Sequence, residues 1–171
     1  MMELLRTRRL ALRSWTGDDL AAYFDLYSRW EVRRWLGPHP RRVVADRTEA
    51  RERLHRVLVR HASVTPPLGL WALVPHEDDV PMGTVLLMPL ADAAGPTGEV
   101  EVGWHLHPDR QGRGLVTEAA RALLDIAALP RVLALTDPDN GPSQAVAGRL
   151  GMTDEGLTDR WFGLTTRQFA R

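Results

Sequence analysis

Apolar and polar residues alternate most sharply between Glu99 and His107, where Val100, Val102, Trp104 and Leu106 interleave with Glu99, Glu101, His105 and His107. A period of two is a strand with one apolar and one polar face. Pro108 stops it. The period then changes: Val116, Ala119, Ala120, Leu123 and Ile126 recur at helical spacing and predict a helix. Between strand and helix runs Gln111-Gly112-Arg113-Gly114-Leu115. A glycine loop opening a helix leaves backbone N–H groups without intrahelical partners, and its glycines let the main chain wrap an anion closely. Arg110 and Arg113 add positive charge beside it.

Elsewhere, Leu10 to Trp15 alternates as a first strand, and Thr16 to Asp19 opens a helix reaching Tyr27 with Leu20, Phe24 and Tyr27 on one face. A short helical or irregular piece, Arg29 to Leu36, carries Trp30 and Trp35 and ends at Gly37-Pro38-His39-Pro40. Residues 47 to 62 form an amphipathic helix with Ala50, Leu54, Val57, Leu58 and His61 inward and arginines outward. Leu68 to Val74 and Met82 to Leu90 read as strands joined through an acidic loop, and Ala91 to Gly98 as a small-residue loop. After the helix come a strand at Arg131 to Thr136, a helix at Ser143 to Leu150, a strand at Met152 to Leu157 and a closing hairpin partner at Arg160 to Phe169. That order implies an α/β protein with a mixed sheet. The strand-helix-strand unit around residues 99 to 136 calls for a parallel, right-handed crossover.

At 171 residues the chain suits one domain spanning 1–171. It has no apolar run of about 18 residues and no signal-peptide pattern, so a cytoplasmic protein without a membrane partner is expected. Cysteine is absent, which excludes disulfides, thiolate metal sites and a cysteine nucleophile. All 22 basic residues are arginine, which excludes a lysine Schiff base or lysine general base. The six histidines show no metal-binding helical spacing, so no metal is expected. Net charge is zero but uneven, with ten arginines against four acids in residues 29 to 60. Interleaved with Glu31, Asp46, Glu49 and Glu52, these arginines read as the solvated side of helices rather than as a nucleic-acid surface.

The glycine loop fits neither a P-loop, since the chain has no lysine, nor a dinucleotide fingerprint, which needs glycine at Thr117. It resembles the pyrophosphate signature Gln/Arg-x-x-Gly-x-Gly/Ala of the GCN5-related N-acetyltransferases, with Gln111 and Gly114 in the first two slots and Val116 as a departure in the third. Thr117-Glu118-Ala119, then Asn140-Gly-Pro-Ser143 and Leu150-Gly151-Met152, resemble the branch of that family containing ribosomal-protein-alanine N-acetyltransferases. The resemblance covers roughly the C-terminal half of the chain. It implies a mixed, mostly antiparallel sheet of about seven strands, flanked by helices, with two splayed parallel central strands.

It also implies acetyl-CoA as co-substrate. The coenzyme would be held by Trp104, His105, Leu106, Arg110, Gln111, Gly112, Arg113, Gly114, Leu115, Val116, Thr117 and Asn140. An amine must lose a proton before it attacks an acyl carbon, and a partly buried carboxylate can take it. Glu101 is the expected base, two residues before Gly103, with Glu99 and His105 in reserve. The late tyrosine that the family often uses as a proton donor has no counterpart after Tyr27. Ser143 is either a helix N-cap or that donor. Trp30 and Trp35 are either core anchors or, with Glu99, the wall of an acceptor pocket. A protein N-terminus, a polyamine, an aminoglycoside and an amino-acid-like metabolite all suit such a pocket, and a homodimer is compatible with the sequence. Two rival readings stand beside the enzyme: an inactive coenzyme A-binding sensor, and an arginine-rich interaction module.

Overall fold

The first five strands, β1 (Glu3–Arg6), β2 (Leu10–Ser14), β3 (Gly69–Pro75), β4 (Gly83–Asp92) and β5 (Gly95–Leu106), are successive antiparallel neighbours in the computed structural model, which describes residues 2–171. Register carries the alternation seen in sequence across the sheet. Ala72 pairs with Thr84 and Thr84 with His105; Leu70 pairs with Leu86 and Leu86 with Gly103; Met88 pairs with Glu101. Directly paired residues share a face, so Glu101, Gly103 and His105 lie on the side of Ala72. Val102, Trp104 and Leu106 lie on the side of Trp71 and Leu73.

Helices α1 (Leu20–Tyr27), α2 (Trp30–Arg33) and α3 (Arg47–Ala62) cover the first face, burying Tyr23, Leu26, Val32, Ala50 and Leu54 with Ala72 and Val74. Helices α4 (Leu115–Ala127) and α5 (Gly141–Arg149) cover the second, where Leu115, Ala119, Ala120, Leu123 and Ala147 pack with Trp71, Leu73, Val85 and Val102. The apolar stripe of α4 follows the 3.6 period at Val116, Ala119, Ala120 and Leu123, but Leu124 takes the inward place expected of Ile126, which is half exposed. The stripe of α1 is rotated from its expected position. Tyr23, Leu26 and Tyr27 face inward and are buried, while Leu20 and Phe24 pack at the margin.

After α4 the chain enters β6 (Leu133–Thr136), parallel to β5, followed past α5 by the antiparallel pair β7 (Thr153–Thr158) and β8 (Thr166–Ala170). The sheet order is β1-β2-β3-β4-β5-β6-β8-β7. Only Glu101↔Leu133 is in register between β5 and β6. Beyond that pair the strands diverge, and the edge of β5 toward Leu106 runs on without a strand beside it.

Two expectations change. The small-residue stretch from Ala91 to Gly98 is no long loop: β4 runs to Asp92 and β5 starts at Gly95, joined by a tight turn in which Gly95 takes φ 117°. Glycine tolerates that angle freely, and small residues meet few obstacles in a two-stranded ribbon. The expected seven strands become eight because β1, too short to display a period, pairs with β2. No helix among the described residues is long and apolar enough to cross a membrane.

Side-chain links clamp the layers. Glu118 on α4 accepts from Thr7 Oγ1 at 2.6 Å, from Arg9 N at 3.0 Å and from Arg9 Nε at 2.7 Å, while Arg9 Nη1 donates to the Arg113 carbonyl at 2.9 Å. The β1–β2 turn is thereby pinned to the glycine loop. Burial alone would raise Glu118, but the hydrogen bonds from Thr7 and Arg9 outweigh it and hold the carboxyl below its usual range. Glu118 thus anchors the glycine loop to the β1–β2 turn.

Candidate active site

The divergence of β5 from β6 opens a cleft of about 1130 Å³, above the roughly 300–1,000 Å³ of ordinary ligand pockets and large enough for two substrates end to end. Its walls come from both faces of the sheet. Tyr27, Arg33, Trp35 and Arg60 contribute from the α1–α3 side, and Gln111, Gly114, Val116, Asn140, Ser143 and Arg149 from the α4–α5 side.

On the second side the chain leaves β5 at Leu106, makes a short 3-10 turn at Pro108–Arg110 and enters the glycine loop. Gly112 and Gly114 have φ 73° and 72°, the left-handed region that costs other residues roughly 1–2 kcal/mol. Gln111 Nε2 ties the loop back to the Leu106 carbonyl at 3.2 Å. The first backbone bond of the helix runs from Glu118 N to Gly114 O. The amides of Gly112, Arg113, Gly114, Leu115, Val116 and Thr117 accordingly find no acceptor among the described residues. A run of unpaired N–H groups at a helix N-terminus fits a diphosphate. Val116, the departure from the signature, buries its side chain in the core while its amide stays in that run, so the motif loses no donor.

The expected cations of this loop are elsewhere. Arg110 is held by Glu77 at 3.0 Å and Asp78 at 2.8 Å, in the β3–β4 loop, and Arg113 points outward. Neither lines the cleft. Arg149, which the sequence reading passed over, does line it, with Nε 3.3 Å from Thr117 Oγ1.

Asn140, not Ser143, caps α5: its Oδ1 accepts from Ser143 N at 3.3 Å. The N-cap reading of Ser143 is thereby removed, and its hydroxyl, in the cleft wall, bonds to no described residue. Thr136 at the end of β6 is a further unread wall residue. It is buried, and its Oγ1 has no hydrogen-bond partner. A single hydroxyl closing a four-residue strand carries no periodic signal.

On the first side, Glu101 sits where the strands part, with no hydrogen bond or ion pair to a described residue. Burial pushes its carboxyl up to about 7, the positive charge of Arg60 pulling weakly the other way. Gly103 beside it leaves space that a Cβ could not take without pressing Leu86 at 3.2 Å. His105 turns away from the coenzyme side expected of it, and its Nδ1 lies 2.9 Å from Tyr27 Oη, which is also 3.0 Å from Thr84 Oγ1. Burial, with the charge of Arg33, pushes His105 down to about 4, and burial pushes the Tyr27 phenol far above its usual range. Both are neutral at physiological pH. A base works best poised near the operating pH, and of the two groups only Glu101 is shifted toward it.

Glu99 and Trp30 leave the site. Glu99 lies on β5 before its one pairing with β6, 3.7 Å from Arg131 and outside the cleft walls; Trp30 is half exposed on α2. Trp35 is in the wall, not in the core, and Arg34 stacks over its ring at 4.2 Å. Arg41 crosses from the α2–α3 loop to Asp137 beyond β6 at 2.6 Å, both side chains nearly buried, and so ties the two sides of the cleft together.

The acetyltransferase (GNAT) domain family matches residues 9–153. The chain belongs to the GNAT acetyltransferases. Within that family it is similar to an uncharacterized N-acetyltransferase, p20, of Bacillus licheniformis, at 26% identity over 160 residues, covering 91% of this chain and 85% of the relative. Its fold matches the GNAT-family acetyltransferase of Bacillus anthracis with a TM-score of 0.77 at 20% identity, over 99% of this chain and 98% of the other. It also matches RimL, a ribosomal L7/L12 α-N-protein acetyltransferase solved with coenzyme A, with a TM-score of 0.77 at 18% identity over 99% and 97% of the two chains. At these identities the solved structures speak for the GNAT fold alone. In this GNAT chain the splayed strands, the loop of unpaired amides and the isolated carboxyl occupy one cleft.

Proposed function

We propose that this acetyltransferase is an acetyl-CoA-dependent N-acetyltransferase acting on a primary amine by direct attack in a ternary complex. The observation that carries the reading is the Glu101 carboxyl, without a protein partner, raised to about 7, at the point where β5 leaves β6. The co-substrate supplies an acyl thioester as electrophile. Amides from Gly112 to Thr117 and the Arg149 guanidinium hold its diphosphate, and Asn140 and Thr136 offer polar atoms along the gap. Glu101 takes the proton from the incoming ammonium, directly or through water, and Ser143 is the hydroxyl available to protonate the departing thiolate. Absence of cysteine supports transfer without an acyl-enzyme.

Free thiol released from acetyl-CoA, followed with a panel of amines, tests the reading. Thiol release that depends on an amine, with no acetyl adduct in the intact mass of the protein, is the expected result. Release without an amine would mean thioester hydrolysis and overturn the reading, while coenzyme binding with no turnover on any amine would speak for the sensor reading instead. Gly114→Ala provides a separate check on the loop. Alanine strains the left-handed position and disturbs the amides, so affinity for acetyl-CoA by calorimetry should fall about tenfold, equivalent to roughly 1.4 kcal/mol. An unchanged affinity would place the diphosphate elsewhere.

A further inference from the structure

The arginines of residues 29 to 60 are not simply the wet side of helices. Arg53, Val57 and Arg60 recur along one stripe of α3, and with Arg33, Arg34 and Arg41 they reach the cleft on the side of Glu101 and His105. Two of these charges are answered within the protein. Arg41 pairs with Asp137, and Arg53 with Glu49 at 2.7 Å, a carboxylate that Arg42 shares. Arg33, Arg34 and Arg60 have no carboxylate within 4.0 Å among the described residues. Arg33 donates only Nε, to the Arg42 carbonyl at 3.0 Å, which leaves its terminal nitrogens free. It is half-buried, and burial together with the neighbouring Arg53 pushes its guanidinium below its usual range. The acids in this half of the cleft are Glu31 and Glu101. Because Glu99 lies outside, the cleft lacks the Glu99–Glu101 pair that would attract a polycation.

A guanidinium withdrawn from water without a counter-ion is costly, and its planar fork matches a carboxylate or phosphate. We infer that the acceptor is a primary amine whose own molecule carries a carboxylate or phosphate near the amine, bound by Arg33 and Arg60 while the amine faces Glu101. This rests on the N-acetyltransferase reading and narrows its acceptor. It disfavours the polyamines and aminoglycosides that the sequence alone left open, since a cleft half in which arginines outnumber Glu31 and Glu101 repels net positive charge and raises the encounter rate of the opposite charge by about 10- to 10³-fold.

The test compares kcat/KM for acetyl transfer to peptides of equal length with a free N-terminus and acidic, neutral or basic residues at the second and third positions. Glutamate and phosphoethanolamine represent small anionic amines, spermidine and kanamycin cationic ones. Anionic acceptors should be favoured over cationic ones by at least about tenfold at low salt, and the preference should shrink as salt is added. The peptide and small-molecule arms tell an acidic protein N-terminus from a free metabolite. Arg60→Gln, at an exposed helical position that tolerates the change, and Arg33→Gln should each bring the acidic-to-neutral ratio severalfold closer to one while the melting temperature is retained. Turnover with equal or better use of cationic acceptors would overturn the inference and leave the N-acetyltransferase intact, as would a ratio that ignores both substitutions. No turnover on any acceptor would remove both.

Discussion

Glu101→Gln should lower kcat by about 10²- to 10⁴-fold, the usual worth of a positioned base, while acetyl-CoA still binds with its original affinity. The glutamine keeps the shape of the side chain and removes only its ability to take a proton. In the unsubstituted enzyme kcat/KM should climb as pH rises through about 7, because the ionised carboxylate is the working form. An ordinary carboxylate would already be saturated at pH 6. Stability should respond with the opposite sign. A carboxyl raised in the folded state stabilises fully below its unfolded value of about 4.5, and that contribution is lost as pH rises through about 7. Glu101→Gln should therefore be more stable than the parent at pH 8, by about 1–2 kcal/mol once water in the cleft is allowed for, and close to it at pH 4. Denaturant melts at the two pH values check this. A variant that keeps its activity, or loses stability at pH 8, would make Glu101 a structural residue.

The largest loss of stability should come from Asp19→Ala, far from the chemistry. Arg13 Nη1 and Nη2 each donate to Asp19 at 2.8 Å, both side chains are buried, and the same carboxylate accepts from Thr16 N at 2.8 Å. Removing it strands a guanidinium in the interior and uncaps the turn into α1, at a cost of about 3–5 kcal/mol. Replacing both partners together, Arg13→Met with Asp19→Leu, should recover much of that, since the penalty lies in the orphaned charge. Burial alone would raise Asp19, but the bonds from Arg13 and Thr16 outweigh it and hold the carboxyl below its normal range. The contribution is thus present above the ordinary carboxylate range and lost as pH falls through the folded value. Chemical denaturation giving a loss under about 1 kcal/mol for Asp19→Ala would mean that water reaches Arg13 and the pair is not truly buried.

Most of the fold is legible in the chain because its signals are local. The period-two run ending at Leu106, the turn at Pro108, the helical stripe of α4 and the α3 boundaries at Arg47 and Ala62 are written within a few residues of one another. The same holds for the place of Gln111 and Gly114, between the strand before them and the helix after. Where a signal was short or needed a distant partner, reading failed. β1 gains its identity from pairing with β2, and the Asp92–Gly95 turn from how β4 and β5 grip each other.

By itself, the sequence determined the order of elements, the glycine loop ahead of α4, the polar face bearing Glu101 and the absence of any thiol or lysine chemistry. Only the tertiary structure decided which of those polar groups meet. Glu99 and Glu101 lie two residues apart on one face, yet where β6 parts from β5 separates a surface ion pair from an isolated carboxyl. Arg110 is near the loop in sequence but answers Glu77 and Asp78, while Arg33 and Arg60, from separate helices, line the cleft with Glu101. Periodicity records what a residue's neighbours along the chain require. The sign of charge in a cleft is set by groups brought together from separate helices, strands and loops, and no local pattern encodes that sum.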